Sequence, residues 1–148
     1  MKTHRASHVC PFCDFVQNGH PVAEQGTFVA KHDSYPVSRG HTLLIPKRHV
    51  ETFFALNEDE LKDFFDLLLE IRQMIEHEFG PDGFNVGVNI GAAAGQTIAH
   101  LHIHVIPRYV GDVGNPRGGV RGVIPGRADY PSDDADLADL FPQEEYLG

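Results

Sequence analysis

The chain has 148 residues, of which 41% are hydrophobic and 22% are charged, a composition typical of one soluble globular domain with its own core. The net charge of −9 argues against a nucleic-acid partner, because a DNA-binding protein needs a basic face to displace counterions. The first thirty residues lack the apolar segment of a signal peptide, and no stretch is long enough to span a bilayer. The sequence therefore predicts a cytoplasmic protein without membrane contact.

The first predicted elements are two strands over residues 26–32 and 40–50, separated by the turn-rich "DSYPVSRG", with Pro46 ending the second strand. One long helix follows over 57–80, where Asn57 is a suitable N-cap and Glu60 completes a capping-box pattern. "GPDG" ends this helix. Its apolar residues recur with the helical period and are predicted to pack on the core: Leu61, Phe64, Phe65, Leu68, Ile71, Met74 and Ile75.

Two further strands are predicted over 84–90 and 100–107, on either side of the small-residue loop "GAAAGQT". The order strand, strand, helix, strand, strand suits an antiparallel sheet with the helix on one face, so the fold class is α+β. From residue 111 the chain becomes rich in Gly, Pro and Arg and then acidic. We therefore expect a domain over 1–110 and an extension over 111–148, which is either part of that domain or a tail.

Three histidines, His100, His102 and His104, occupy every second position of the last predicted strand. Side chains of a strand alternate between its two faces, so all three are predicted to share one face. Such a row suits two chemistries. Neutral imidazoles bind metal ions, or one imidazole attacks phosphorus while its neighbours donate hydrogen bonds to phosphate oxygens.

The loop before this strand favours the phosphoryl chemistry. Its glycines and alanines let backbone N–H groups approach an anion, and Gln96 and Thr97 add side-chain donors. The pattern His-apolar-His-apolar-His-apolar-apolar resembles the signature of the histidine triad (HIT) family of nucleotide hydrolases and transferases. "GQTIAHLHIHVIPR" looks most like the Fhit-like dinucleoside polyphosphate hydrolases. The resemblance runs from "CPFC" to Arg108.

The resemblance implies a HIT-like fold and a role for each matching position. His102 would attack the α-phosphorus and form a covalent nucleotidyl-histidine, and His104 would donate to phosphate oxygens. The remaining implied nucleotide contacts are Gly95, Gln96 and Thr97 at the phosphates and leaving group, Asn89 beside them, and Asp33 at the ribose hydroxyls. From the residues alone, a turn-forming role is the favoured interpretation of Asp33 in "KHDSYP".

The only cysteines, Cys10 and Cys13, form a C-x-x-C pair that is open to three interpretations. A disulfide is disfavoured in the cytoplasm, and a redox pair normally follows a strand and opens a helix. A zinc half-site needs two more ligands, which His49 and His100 would supply by their spacing. Some HIT proteins look similar here, bacterial zinc-containing ones among them. The resemblance implies a structural zinc that fixes the N-terminal segment to the sheet.

Several expectations remain open at this stage. The leading function is an enzyme acting at the α-phosphorus of a dinucleoside polyphosphate or a nucleoside phosphoramidate. The alternatives are a zinc-stabilised nucleotide-binding sensor with little catalysis, and a hydrolase with a catalytic metal on all three triad histidines. The family resemblance implies a homodimer. Phe12, Phe28 and Ile45 are candidates for an apolar base pocket. The cationic residues near or after the triad are candidates for distal phosphates or for a solvated loop: Arg108, Arg117, Arg121 and Arg127.

Overall fold

The structure, a computed structural model, describes residues 9–129. The chain divides into two compact units, Met1–Val113 and Gly114–Gly148. The first unit contains all strands and both α-helices of the described residues, which are α1 (Pro11–Asn18), β1 (Ala23–Gln25), β2 (Phe28–His32), β3 (Thr42–Pro46), α2 (Glu58–Phe79), β4 (Gly83–Val88) and β5 (Ile103–Arg108). In the second unit, a short 3-10 helix covers Gly119–Val123. The predicted division at residue 110 stays a prediction.

The five strands form one antiparallel sheet in the order β1-β2-β3-β5-β4. This confirms the predicted α+β class, with the long helix packed on the sheet. Two elements were not predicted. α1 begins at Pro11 and is capped by the sulfur of Cys10, which accepts from the Cys13 backbone N–H. The three-residue strand β1 pairs with β2 through a turn at Gly26, and it is too short to show an alternating pattern.

The helix α2 has the predicted capping box. The Asn57 side chain accepts from the Glu60 N–H, and the Glu60 carboxylate accepts from the Asn57 N–H. Arg48 ties this helix start to the segment after β3, because its guanidinium donates to both carboxylate oxygens of Glu60, which is buried. The helix ends at Gly80, whose φ of +57° is the left-handed conformation that glycine tolerates.

The apolar core lies between α2 and one face of the sheet. Phe64, Leu67 and Ile71 of the helix are 5%, 0% and 1% exposed, and they pack against Leu44 and Ile103 of the strands. The predicted helix stripe was partly wrong, since Phe65 and Met74 are 55% and 40% exposed while Leu67 is buried instead. A single helical period cannot fix the rotation of the helix about its axis to better than one residue.

The opposite face of the sheet, which we call the site face, is covered in part by α1. A second apolar cluster there contains Phe12 from α1, Val29 from β2, and Leu43 and Ile45 from β3. Phe28, a sequence candidate for a base pocket, is not on this face. It is fully buried in the core beneath α2, because successive strand residues alternate between faces.

The last strand begins later than predicted. β5 starts at Ile103, so of the three histidines only His104 lies within it. Just before the strand, the Leu101 N–H donates to the Val50 carbonyl over 2.6 Å. Leu101, Ile103 and Val105, which alternate with the histidines, are all buried in the helix-facing core.

Candidate active site and metal centre

The four predicted metal ligands converge at one end of the site face. Cys10 and Cys13 lie at the start of α1, His49 lies in the turn after β3, and His100 lies three residues before β5. The Cys10 Sγ is 3.4 Å from the His100 Nδ1, and the Cys13 Sγ is 3.2 Å from the His49 Nδ1. The two histidine Nδ1 atoms are 3.1 Å apart. The C-x-x-C pair opens a helix here, but α1 is the first element of the described residues, so no described strand precedes it as in a typical redox pair.

These distances match a tetrahedral Cys2His2 zinc site. Bonds of about 2.3 Å to sulfur and about 2.0 Å to nitrogen would place two ligand nitrogens about 3.3 Å apart and a sulfur about 3.5 Å from a nitrogen. The tautomer of His100 is also the one that a metal ligand needs. Its Nε2 is 2.8 Å from the carbonyl oxygen of Pro46, which can only accept a hydrogen bond. The proton therefore lies on Nε2, and the Nδ1 lone pair faces the cysteines. Burial lowers the pKa of His100, which keeps the ring neutral.

His102 is held in one tautomer by the backbone. Its Nδ1 lies 2.9 Å from the carbonyl oxygen of His100, so the ring proton is on Nδ1 and donates to that oxygen. The lone pair is then on Nε2. The ring contacts Phe12, with centroids 4.9 Å apart, and Phe12 also contacts the metal ligand His100 at 5.9 Å. His102 and His104 are neighbours at 5.2 Å.

A fourth histidine, His41, which was not singled out from the sequence, completes the site. It is 3% exposed and its Nδ1 accepts from the backbone N–H of Val37 over 3.2 Å. Its proton is therefore on Nε2, which donates to the Nδ1 of His104 over 2.9 Å. This leaves the Nε2–H of His104 free to donate to a substrate oxygen. His41 lies directly before β3, and its alternation with Leu43 and Ile45 was the one sequence signal for it.

Asp33 lies beside this pair of histidines. Its Oδ2 is 3.4 Å from the His41 Nε2 and 3.9 Å from the His104 Nδ1, while its Oδ1 accepts from the Tyr35 N–H in a turn. Burial lowers the pKa of His41, and burial together with His102 and His41 lowers that of His104. The carboxylate of Asp33 opposes both shifts. Both histidines are therefore neutral near pH 7.

Asp33, His41 and His104 are also close enough to hold a metal ion. The hydrogen bonding disfavours this. A metal at the His41 Nε2 would force the ring proton onto Nδ1, where it would oppose the Val37 N–H. In the Cys2His2 cluster the corresponding backbone group is an acceptor, the carbonyl of Pro46, and it leaves the ligand nitrogen free. The backbone thus favours a metal in one cluster and a hydrogen-bond relay in the other.

The loop before the triad carries other predicted contacts. Gly91 and Gly95 have φ values of +86° and +90° around a 3-10 turn at Ala92–Ala94. The Gln96 side chain fastens this loop, because its oxygen accepts from the Gly91 N–H and its nitrogen donates to the Glu51 carbonyl. The Gly95 N–H donates to the Ala92 carbonyl.

The remaining candidates lie at the edges of the site or outside it. Thr97 is exposed in the loop, and Asn89 is half-buried directly after β4. Arg108 donates to both carboxylate oxygens of Asp112, which lowers the pKa of that carboxyl, and to the Asn85 side chain. Arg117 and Arg121 belong to the second unit, where each contacts residues of that same unit, Asp129 and Ala128. Roles at a phosphate remain predictions for all of these residues.

Comparison with known protein families decides the family. The HIT domain profile matches residues 15–111. The chain belongs to the HIT family. The protein named "Protein hit" of Bacillus subtilis is 38% identical over 103 residues, which are 68% of this chain and 71% of that protein. The asymmetrical bis(5'-nucleosyl)-tetraphosphatase of Schizosaccharomyces pombe is 40% identical over 77 residues, 52% of this chain and 42% of that protein.

Solved structures give the same family. A HIT family protein from Bacillus anthracis superposes with a TM-score of 0.67 at 31% identity, covering 90% of each chain. A zinc-bound histidine triad family protein from Mycobacterium smegmatis superposes with a TM-score of 0.63 at 34% identity, covering 70% of this chain and 77% of that one. The HIT fold is thus confirmed. The more specific likeness to the Fhit-like branch stays a prediction, as does a cytoplasmic location. No helix within residues 9–129 is long and apolar enough to cross a membrane.

Proposed function

We propose that this HIT protein is a nucleotide hydrolase or transferase that acts at the α-phosphorus of a dinucleoside polyphosphate or a nucleoside phosphoramidate. The hydrogen bond from the His102 Nδ1–H to the His100 carbonyl carries the proposal. It fixes a lone pair on Nε2 of a half-buried imidazole whose neighbour His104 has a free Nε2–H donor. A nucleophile beside a donor for phosphate oxygens is the arrangement that phosphoryl transfer requires.

The first step forms a P–N bond. The His102 Nε2 lone pair attacks the α-phosphorus while the bond to the leaving group breaks, and the leaving group takes that electron pair. The negative charge on the phosphate oxygens is stabilised by the His104 Nε2–H. His41 holds His104 in the required tautomer, since it donates to the His104 Nδ1. In the second step water attacks phosphorus, the P–N bond breaks, and His102 is regenerated with release of the nucleoside monophosphate.

We propose that Cys10, Cys13, His49 and His100 bind zinc, and that the zinc is structural. The metal would cross-link the start of α1 to the segment before β5 and so add to the apolar contacts that Phe12 makes with the sheet. Phe12 lies between the two cysteines in sequence and packs against His102, so the cluster also supports the nucleophile through an apolar contact. All four ligand positions are filled by protein, as in structural rather than catalytic zinc sites.

A homodimer is the proposed assembly. The outer edge of β4 is unpaired within the described sheet, and Val86 on this strand is 43% exposed. Phe65 and Leu69, one helical turn apart on α2, are 55% and 58% exposed. A free strand edge and exposed apolar side chains favour association with another chain. Light scattering on the eluting protein would give the mass, and Val86→Lys should shift it toward the monomer.

The test of the activity is product release. Wild type and His102→Ala are incubated with diadenosine tetraphosphate and with adenosine phosphoramidate, and AMP is quantified by chromatography. His77→Ala is the matched control, because His77 is exposed in the last turn of α2. Release by wild type and the control but not by His102→Ala supports the proposal. Binding of AMP without release from either substrate would favour the nucleotide-binding sensor instead.

A further inference from the structure

We propose that Lys31 selects the base of the nucleotide, favouring bases with a carbonyl oxygen on the exposed edge, guanine over adenine. The inference rests on the proposed function, since it concerns the same site. The Lys31 ammonium would hydrogen-bond the base, a contact that neither the triad nor the metal cluster supplies.

The strand register places Lys31 in line with the triad. Lys31 of β2 pairs with Leu43 of β3, and Leu43 pairs with His104 of β5. Directly paired residues of neighbouring antiparallel strands share a face, so all three side chains lie on the site face. Two strand spacings of about 4.8 Å separate Lys31 from His104. A nucleotide with its phosphate at the histidines spans this distance.

The position of the ribose shows in which direction a bound nucleotide would run across the sheet. Asp33, which the family resemblance implies as the ribose ligand, lies one residue beyond β2 and close to His41. A nucleotide that reaches from His102 on the β5 side to Asp33 on the β2 side therefore crosses β3. Its base then lies near the residue two positions before Asp33 on the same face, which is Lys31. The wall on the other side is α1, because the Lys31 ammonium stands 5.6 Å from the ring centroid of Phe15.

The ammonium has a donor to spare. Its nitrogen donates to the His32 carbonyl over 3.0 Å and to the Ser34 hydroxyl over 2.8 Å, and a lysine has three donors. No carboxylate forms an ion pair with Lys31 among residues 9–129. An unpaired cation beside an aromatic ring, at the edge of an apolar cluster, offers a stacking surface and a charged hydrogen-bond donor together.

The chemistry of the bases makes the preference specific. Guanine presents two acceptors, O6 and N7, on one edge, whereas adenine presents N7 beside an amino group that is a donor. The one remaining N–H of the Lys31 ammonium can be shared between the two adjacent guanine acceptors, but it would oppose the adenine amino group. Hydrogen bonds from a charged group are stronger than neutral ones, so we expect wild type to favour guanine by about tenfold.

The test compares the two bases on wild type, Lys31→Met and Lys31→Arg. Methionine keeps an apolar stem over Phe15 without the charge, and arginine keeps the charge. Lys62→Met is the control, since Lys62 lies on the exposed face of α2 and pairs with Asp66. Calorimetry gives the affinities for GMP and AMP, and product release gives kcat/KM for guanosine and adenosine phosphoramidates.

We expect the GMP-to-AMP affinity ratio to fall about tenfold in Lys31→Met, to be retained in Lys31→Arg, and to be unchanged in Lys62→Met. A ratio that is the same in wild type and Lys31→Met would overturn the inference, and so would a wild type that binds neither nucleotide. The binding readout separates this proposal from the enzymatic one. GMP preference without any turnover leaves the role of Lys31 standing and refutes the hydrolase.

Discussion

The carbonyl oxygen of His100 accepts a hydrogen bond from the Nδ1–H of His102 over 2.9 Å, while the side chain of His100 faces Cys10 and Cys13. One residue thus contributes its side chain to the metal cluster and its backbone to the nucleophile. The proposed metal cluster and the proposed nucleophile are therefore joined through one residue, His100. Phe12, which contacts both rings, adds a second connection.

Replacing His102 by alanine should reduce turnover at least about a thousandfold, because no other group on the described site face has a lone pair fixed in the same position. The fold and the zinc content should be unchanged, since His102 is only half-buried and is not a ligand of the cluster. When the wild-type reaction is quenched rapidly, mass spectrometry of the protein should show an added mass of one nucleotidyl group on His102. Full activity in the variant would contradict the assigned nucleophile.

Replacing His41 by phenylalanine should lower kcat about 10- to 100-fold with little change in KM. The variant loses the donor to His104 but keeps an aromatic ring in a buried site. His41→Gln, whose amide can still donate, should recover part of kcat. His32→Phe serves as a control, because His32 lies at the exposed end of β2. Full kcat in His41→Phe, which keeps the aromatic packing but not the donor, would mean that His41 acts by packing alone.

The value of kcat should fall as the pH drops below the ordinary histidine pKa of about 6.5. The pKa values of His41 and His104 are lowered, chiefly by burial, so protonation disrupts the relay only under acidic conditions. Asp33 raises both pKa values, so Asp33→Asn should move this fall in kcat to lower pH. The profile is measured at saturating substrate, because the same variant should also raise KM. A fall that moves to higher pH would contradict the assignment.

The same shifts affect stability with a defined sign. A histidine whose pKa is lowered on folding binds fewer protons in the native state than in the unfolded state. Its contribution to stability is therefore complete above the unfolded value near pH 6.5, and it is lost as the pH falls toward the folded value. Thermal unfolding of wild type and His41→Phe between pH 5 and 7, a range set by that value, should show a smaller loss in the variant on acidification.

Removing the proposed zinc should lower the melting temperature by on the order of 10 °C. Turnover at temperatures well below melting should change little. Burial raises the pKa of the Cys13 thiol, so without a metal this sulfur is a neutral thiol. The thiolate–metal bonds that would hold α1 to the sheet are then absent. Cys13→Ser should reproduce the effect of chelation, and elemental analysis should give one zinc per wild-type chain. Unchanged melting after complete chelation would exclude a structural role.

The sequence by itself determined the α+β class, the extent and capping of α2, and the identity of the triad. These features depend on local periodicity and on side chains that cap nearby backbone groups, both of which are visible in a short window. The spacing of Cys10, Cys13, His49 and His100 also indicated one cluster, which the structure brings together. The missed elements are short. α1 offers a single helical repeat, Phe12, Phe15 and Val16, within eight residues, and β1 has only three residues.

Only the tertiary structure decided how the histidines are protonated and which residues join them. His41 meets His104 because β3 pairs with β5, and Lys31 lies in the same row because β2 pairs with β3. The tautomers of His100, His102 and His41 are set by Pro46, His100 and Val37 through their backbone groups. The His100–His102 and Val37–His41 contacts are local in sequence, whereas Pro46 and His100, and His41 and His104, lie on different segments of the chain. No local pattern encodes them, because strand pairing and loop geometry bring them together.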